Sequence, residues 1–108
     1  EKSIVYKEIG KLSASSEQEF SCSLELLNVI YTLAKKSVSK HSEKALPLFH
    51  LLTLMIPDHY DSWIGLGMAF QQEDRLLEAL AAYEKAQRLS PDHPLHALYS
   101  AKCLLELN

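Results

Sequence analysis

Five histidines and two cysteines are the side chains of this 108-residue sequence best suited to metal ligation or catalysis. Zinc sites usually combine three or four Cys or His ligands at short, regular spacing. Cys22 and Cys103 each lack a nearby Cys, and Pro94 lies between His93 and His96. The spacing therefore predicts no metal site.

Glycine and serine spacing gives no sign of an enzyme. Gly65 and Gly67 are two of the three glycines, and both fall inside a helical pattern instead of a glycine-rich phosphate loop. Ser, His and Asp are numerous, but none lies in a recognisable nucleophile turn. We therefore expect a protein without enzymatic activity and without a cofactor.

Charge and hydropathy narrow the class of partner. The net charge is −3 and the 11 Lys and Arg residues are scattered, which argues against binding to nucleic acid. Apolar runs such as residues 51–56 are far shorter than the roughly 20 residues that span a bilayer, so we expect no membrane insertion. Two cysteines without partners suit a reducing compartment, and we expect a cytoplasmic protein.

An internal repeat with a period of 34 residues is the strongest pattern in the sequence. Residues 57–59 read Pro-Asp-His, and the same three residues recur at 91–93. Apolar residues before each copy correspond at the same offset: Ala45, Leu46, Phe49, Leu52 and Met55 match Ala79, Leu80, Tyr83, Ala86 and Leu89. This period is that of the tetratricopeptide repeat, a helix–turn–helix unit.

The middle of the chain carries the signature residues of this repeat. They are Trp63, Leu66, Gly67 and Phe70, followed by Ala79, Tyr83, Ala86 and Pro91. We predict that Gly67 and Ala79 are small because two helices cross closely there, with larger side chains such as Tyr83 filling the seam. Pro91 should end the second helix.

These patterns predict an all-α fold, a tetratricopeptide solenoid of antiparallel helix pairs with an N-terminal helical extension. The extension comprises residues 1–16, the first repeat residues 17–59 and the second repeat residues 60–93. Residues 94–108 are expected to form the first helix of a third, truncated repeat. A segment beyond residue 108 would complete that repeat.

Helix ends follow from capping residues and proline. In the second repeat, Asp61 or Ser62 can cap a helix that runs to about Gln72, and the next helix continues to about Leu89. The first helix of the first repeat is expected to lie one residue out of the 34-residue frame. Pro47 should distort or delay the second helix of that repeat.

Function in this architecture depends on the concave face, which the first helices line at the second, fifth, ninth and twelfth places of each repeat. In the second and third repeats these places are Asp61, Ile64, Met68, Gln71, Leu95, Leu98, Lys102 and Leu105. In the first repeat, with the one-residue shift, they are Asn28, Tyr31, Lys35 and Val38. This mostly apolar lining suits an extended ligand that inserts apolar side chains. The alternative is that these residues only pack against neighbouring helices.

Two short runs carry a resemblance to a known family. The run of residues 59–62, His-Tyr-Asp-Ser, followed by Ile-Gly-Leu-Gly at 64–67, and the run Ala-Lys-Cys-Leu-Leu at 101–105, resemble class II translocator chaperones of bacterial type III secretion. The likeness spans about residues 24–108. It implies a chaperone in the bacterial cytoplasm that holds a hydrophobic, pore-forming translocator subunit by an extended segment in the concave groove.

The resemblance also implies a possible homodimer, because the N-terminal helix of that family is often used for dimerisation. Two alternative functions stay open. A needle-subunit chaperone of the same secretion machinery is also built from such repeats, and a generic adaptor would join resident subunits of a complex. A chaperone should retain a secreted hydrophobic protein, whereas an adaptor should retain proteins that are not exported.

Overall fold

The computed structural model describes residues 17–107, with side chains described from Leu24 onward. Helices α1 to α5 follow one another with short turns and are, in chain order, α1 Glu17–Ser39, α2 Ala45–Met55, α3 Tyr60–Gln72, α4 Leu76–Leu89 and α5 Leu95–Leu107. The described residues contain no strand, so the all-α prediction is confirmed for them. The N-terminal extension expected at residues 1–16 lies outside the described part of the chain.

The turns after α1 and α3 share one geometry. His41 and Asp74 have positive φ angles of 53° and 61°, a region that His and Asp enter more readily than most residues. In each turn the next residue donates its N–H to a carbonyl five residues earlier: Ser42 to Ser37 at 2.8 Å, and Arg75 to Phe70 at 2.9 Å. The two turns are 33 residues apart, which agrees with the one-residue shift expected for the first helix.

Pro47 fits into α2 because the helix begins late. Ala45 is the first helical residue, so Pro47 lies in the first turn, where a backbone N–H has no intrahelical acceptor. The turn before it is closed by Ala45, whose N–H donates to the Ser42 carbonyl at 3.1 Å. The proline therefore delays the helix, as expected, without interrupting it.

The start of α3 differs from the predicted one. The helix begins at Tyr60, and His59 takes the N-cap position in place of Asp61 or Ser62. Ser62 is fully buried, and its hydroxyl lies 2.6 Å from Nδ1 of His59. The capping prediction was wrong because the Ser62 hydroxyl bonds backwards to a buried side chain. The predicted ends of α3 and α4 at Gln72 and Leu89 agree with the structure.

Each helix packs against the next one in the chain, and α3 also packs against α1 and α5. Helices α3 and α5 run in the same direction, because Tyr60 meets His96 near the start of both and Gln71 meets Glu106 near the end of both. Near the end of α1, the carbonyl of Val38 accepts a 2.9 Å bond from Gln72 at the end of α3. Helices α1, α3 and α5 therefore form a parallel set, with α2 and α4 alongside.

Two glycines of α3 bring the neighbouring helices close. A Cβ at Gly67 would lie 2.3 Å from the Tyr83 ring of α4, and a Cβ at Gly65 would lie 2.1 Å from the Phe49 ring of α2. Both rings are buried. The predicted seam between Gly67 and Tyr83 is confirmed, and it separates one apolar cluster around α1 to α3 from another around α3 to α5.

Candidate functional site

A hollow of about 260 Å³ opens between the three parallel helices. Its walls come from α1, α3 and α5, with one ring from α2. The lining residues are Tyr31, Lys35, Val38, Ser39, Phe49, Asp61, Ile64, Gly65, Met68, Leu95 and Tyr99. We call this the α1–α3–α5 hollow.

Tyr31 forms the α1 wall. Its ring meets Phe49 edge-to-face at 6.4 Å between centroids and His59 in the same manner at 5.4 Å. The Lys35 ammonium lies 4.8 Å from the centroid of the same ring, within cation–π range. The rim on α1 is therefore aromatic and positively charged, whereas Asp61 on the α3 wall supplies a carboxylate.

The floor of the hollow is apolar and partly set by glycine. Because Gly65 has no side chain, the buried Phe49 ring reaches across it from α2. Ile64 is 5% exposed and contributes a floor that is part of the core. Met68 is half-buried beside it, and its flexible thioether can adapt to ligands of different shape.

The α5 wall is held by an aromatic and polar stack. Tyr99 stacks on Tyr83 at 5.9 Å between centroids with the rings 19° apart. The Tyr83 hydroxyl donates to Oε1 of Gln71 at 2.8 Å, and Nε2 of Gln71 donates to Glu106 at 2.5 Å. Burial, with smaller contributions from Cys103 and Tyr99, raises the pKa of Tyr83 above its ordinary value. The phenol therefore stays neutral and keeps donating its proton at physiological pH.

A second contact fixes the spacing of α3 and α5 at their N-terminal ends. The Tyr60 hydroxyl accepts the backbone N–H of His96 at 3.0 Å and lies 3.0 Å from Nδ1 of the same residue. The His93 ring packs on the Tyr60 ring at 4.4 Å between centroids. Burial raises the pKa of Tyr60, the hydrogen bond from the His96 backbone lowers it, and the Asp61 charge raises it. Two walls of the hollow are thus joined by buried hydrogen bonds.

The structure brings about half of the residues predicted from sequence into the hollow. Those that line it are Tyr31, Lys35, Asp61, Ile64, Met68 and Leu95, with Val38. Those that do not line it are Asn28, Gln71, Leu98, Lys102 and Leu105. Leu98 and Leu105 are 56% and 76% exposed, and Gln71 is engaged by Tyr83 and Glu106. Lys102 lies 5.7 Å from the centroid of Tyr99, behind the hollow wall.

Sequence reasoning missed Tyr99, Phe49, Gly65 and Ser39 as lining residues. Tyr99 could have been found, because it lies four residues after Leu95 and so shares its helix face. Phe49 was expected in the core, and no pattern within α2 indicates that its ring edge reaches the hollow. The positions rule assigns places to first helices only, which excludes any residue of α2.

The hollow offers apolar surface and two opposite charges at its rim. Within residues 24–107, no three His, Cys, Asp or Glu side chains lie together as a ligand set for a metal ion. Cys103 lies under α4, where its thiol donates to the Leu76 carbonyl at 3.3 Å and burial raises its pKa. None of the helices between residues 17 and 107 is long and apolar enough to cross a membrane. The geometry suits binding of an apolar segment.

No protein-family model matches this sequence, and neither curated proteins nor solved structures give a significant match to it.

Proposed function

We propose that this chain is a tetratricopeptide-type binding module that holds an extended apolar segment of a partner protein in the α1–α3–α5 hollow. The hollow itself carries the proposal, because its volume of about 260 Å³ admits apolar side chains between Tyr31, Met68 and Leu95. Each buried side chain of that kind contributes roughly 1.5–3 kcal/mol before the cost of ordering the ligand. Lys35 and Asp61 at the rim can orient the backbone of the segment.

Equivalent contacts in the two halves of the chain support a repeat arrangement. Phe49 of α2 lies against Gly65 of α3, and 34 residues later Tyr83 of α4 stacks on Tyr99 of α5. The turns at His41 and Asp74 also share their hydrogen-bond pattern. Such a repetition places successive first helices side by side, which is the arrangement that creates a concave binding face.

The partner, in this proposal, is a hydrophobic subunit that a bacterial type III secretion system exports. The chain would keep this subunit soluble in the cytoplasm before export by covering a segment that otherwise aggregates. Support comes from residues 59–67 and 101–105, whose runs resemble translocator chaperones. Two residues of the first run, Asp61 and Ile64, line the hollow.

Fluorescence anisotropy tests the site with short labelled peptides that tile the secreted, membrane-inserting subunits of the source organism. Met68→Glu places a carboxylate in the apolar part of the hollow, and we expect it to weaken peptide binding at least ten-fold, or about 1.4 kcal/mol. Leu77→Glu is the matched control, because Leu77 is 73% exposed on α4 and does not line the hollow. The control should bind as the unchanged chain does.

Two results would count against the proposal. Equal affinity of Met68→Glu and the unchanged chain would show that the hollow is not the binding site. Affinity capture with the full chain addresses the partner: retention of non-exported subunits alone would exclude the chaperone function and favour an adaptor. Circular dichroism of each variant verifies that the helices are intact.

A further inference from the structure

One face of α1 points away from the other described helices and carries a row of apolar side chains. Leu26, Val29 and Leu33 are 56%, 54% and 50% exposed, and their spacing of three and four residues is that of a helix–helix contact. The buried residues Leu27 and Ala34 lie on the side that meets α2 and α3. We call the three exposed residues the α1 outer stripe.

The equivalent face of α3 is covered by another helix. With the 33-residue offset of the first helix, Val29 and Leu33 correspond to Ser62 and Leu66, which are 0% and 4% exposed. Leu66 shares an apolar cluster with Leu52 of α2, the helix that precedes α3 through a short turn. The repeat therefore provides for an antiparallel helix over this face, and no described helix occupies that place on α1.

Charges beside the stripe indicate what the covering helix is. Glu25 and Lys36 flank the stripe on the same side and are eleven residues, or about three turns, apart. A second α1 that runs antiparallel, centred between residues 30 and 31, brings Glu25 level with Lys36 of the second copy and Val29 beside Leu33 of the second copy. A parallel pair would instead put Glu25 beside Glu25 and Lys36 beside Lys36.

We propose that the α1 outer stripe is a homodimer interface in which two copies of α1 pack antiparallel across a two-fold axis. The stripe is self-complementary in both shape and charge, as a two-fold interface requires. Tyr31 and Lys35, which line the α1–α3–α5 hollow, lie on another face of α1, so pairing leaves the hollow open. The proposal is independent of what the hollow binds.

The small size of the stripe sets the strength of the dimer. Stable interfaces bury at least about 1,200 Å² in total, and three half-exposed side chains per copy supply only part of that area. The dimer is therefore weak and dissociates on dilution. Its charge pairs are exposed, so salt also weakens it.

Sedimentation equilibrium of the full chain tests the interface, from about 5 to 500 µM at an ionic strength near 20 mM, where exposed charges are little screened. The apparent mass should rise from the monomer value of 12.2 kDa toward twice that value. Leu33→Gln should abolish the rise, and Leu77→Gln, at a residue 73% exposed on α4, should leave it unchanged. Both leucines are on the surface, so both variants should fold.

Charge reversal tests the antiparallel direction. Glu25→Lys or Lys36→Glu alone should raise the dimer dissociation constant about ten-fold, because each reverses two symmetry-related pairs. The double variant should restore the original constant. A chain that stays monomeric at every concentration, a dimer indifferent to Leu33→Gln, or a double variant as weak as the singles would each overturn the proposal.

Discussion

Replacing Gly67 by alanine tests the close crossing of α3 and α4. A Cβ at this position would meet three ring carbons of Tyr83 at 2.3, 2.6 and 2.7 Å, about 1 Å inside normal carbon–carbon contact. The ring cannot easily withdraw, because it is fully buried, stacks on Tyr99 and is bonded through its hydroxyl to Gln71. We therefore expect a packing cost near the upper end of the usual 1–3 kcal/mol.

Helix propensity partly offsets that cost. Alanine is favoured over glycine inside a helix by about 1 kcal/mol, so Gly67→Ala should lower the free energy of unfolding by about 2 kcal/mol net. For a domain of this size the midpoint of thermal unfolding should fall by about 10 °C. Urea and thermal unfolding followed by far-UV circular dichroism measure both quantities.

Two further variants separate the clash from propensity. Ala101 is the equivalent residue of α5 and is exposed, so Ala101→Gly should cost only the propensity difference of about 1 kcal/mol. In a Tyr83→Leu background the ring is gone, and Gly67→Ala should become stabilising by up to about 1 kcal/mol. A Gly67→Ala variant that is more stable than the unchanged chain would refute the reasoning, as would the same destabilisation in both backgrounds.

Three other predictions concern buried polar groups. Tyr60→Phe removes the hydroxyl that joins α3 to His96, and urea unfolding should show a loss of about 1–3 kcal/mol. Burial raises the pKa of Cys103, so its thiol should react with a disulfide reagent at neutral pH only as fast as the chain opens, and at once in denaturant. Burial also raises the pKa of Tyr83, so the unfolded chain releases that proton near the ordinary value of 10.0 while the folded chain keeps it. Stability should therefore be unaffected by this group below pH 10 and fall above it, with a shallower fall in Tyr83→Phe.

The helical framework could be predicted from sequence because it depends on local and periodic information. The 34-residue offset pairs Phe49 with Tyr83, and both rings lie at equivalent crossings in the structure. The ends of α3 and α4 followed from the turn residues between them. Pro47 was correctly expected to delay α2, because a proline tolerates only the first turn of a helix.

The site was less accessible to sequence reasoning because it depends on contacts between distant residues. The bonds between Tyr60 and His96 join residues 36 positions apart, and no periodicity indicates them. Ser62 looked like a cap until its hydroxyl proved to be engaged by a buried His59. Leu98 was assigned to the groove by its place in the repeat, yet no described helix lies beyond α5 to form a second wall around it.

The unequal attachment of the two ends of α5 has a kinetic consequence. Its first turn is tied to Tyr60 by buried hydrogen bonds, whereas after Cys103 its residues are all exposed and its last polar contact, from Glu106 to Gln71, is at the surface. Amide hydrogens near residues 104–107 should therefore exchange with deuterium sooner than those of the turns around Leu95. Fraying would start at the C-terminal end, and the part of α5 that lines the hollow would keep its place while the end opens.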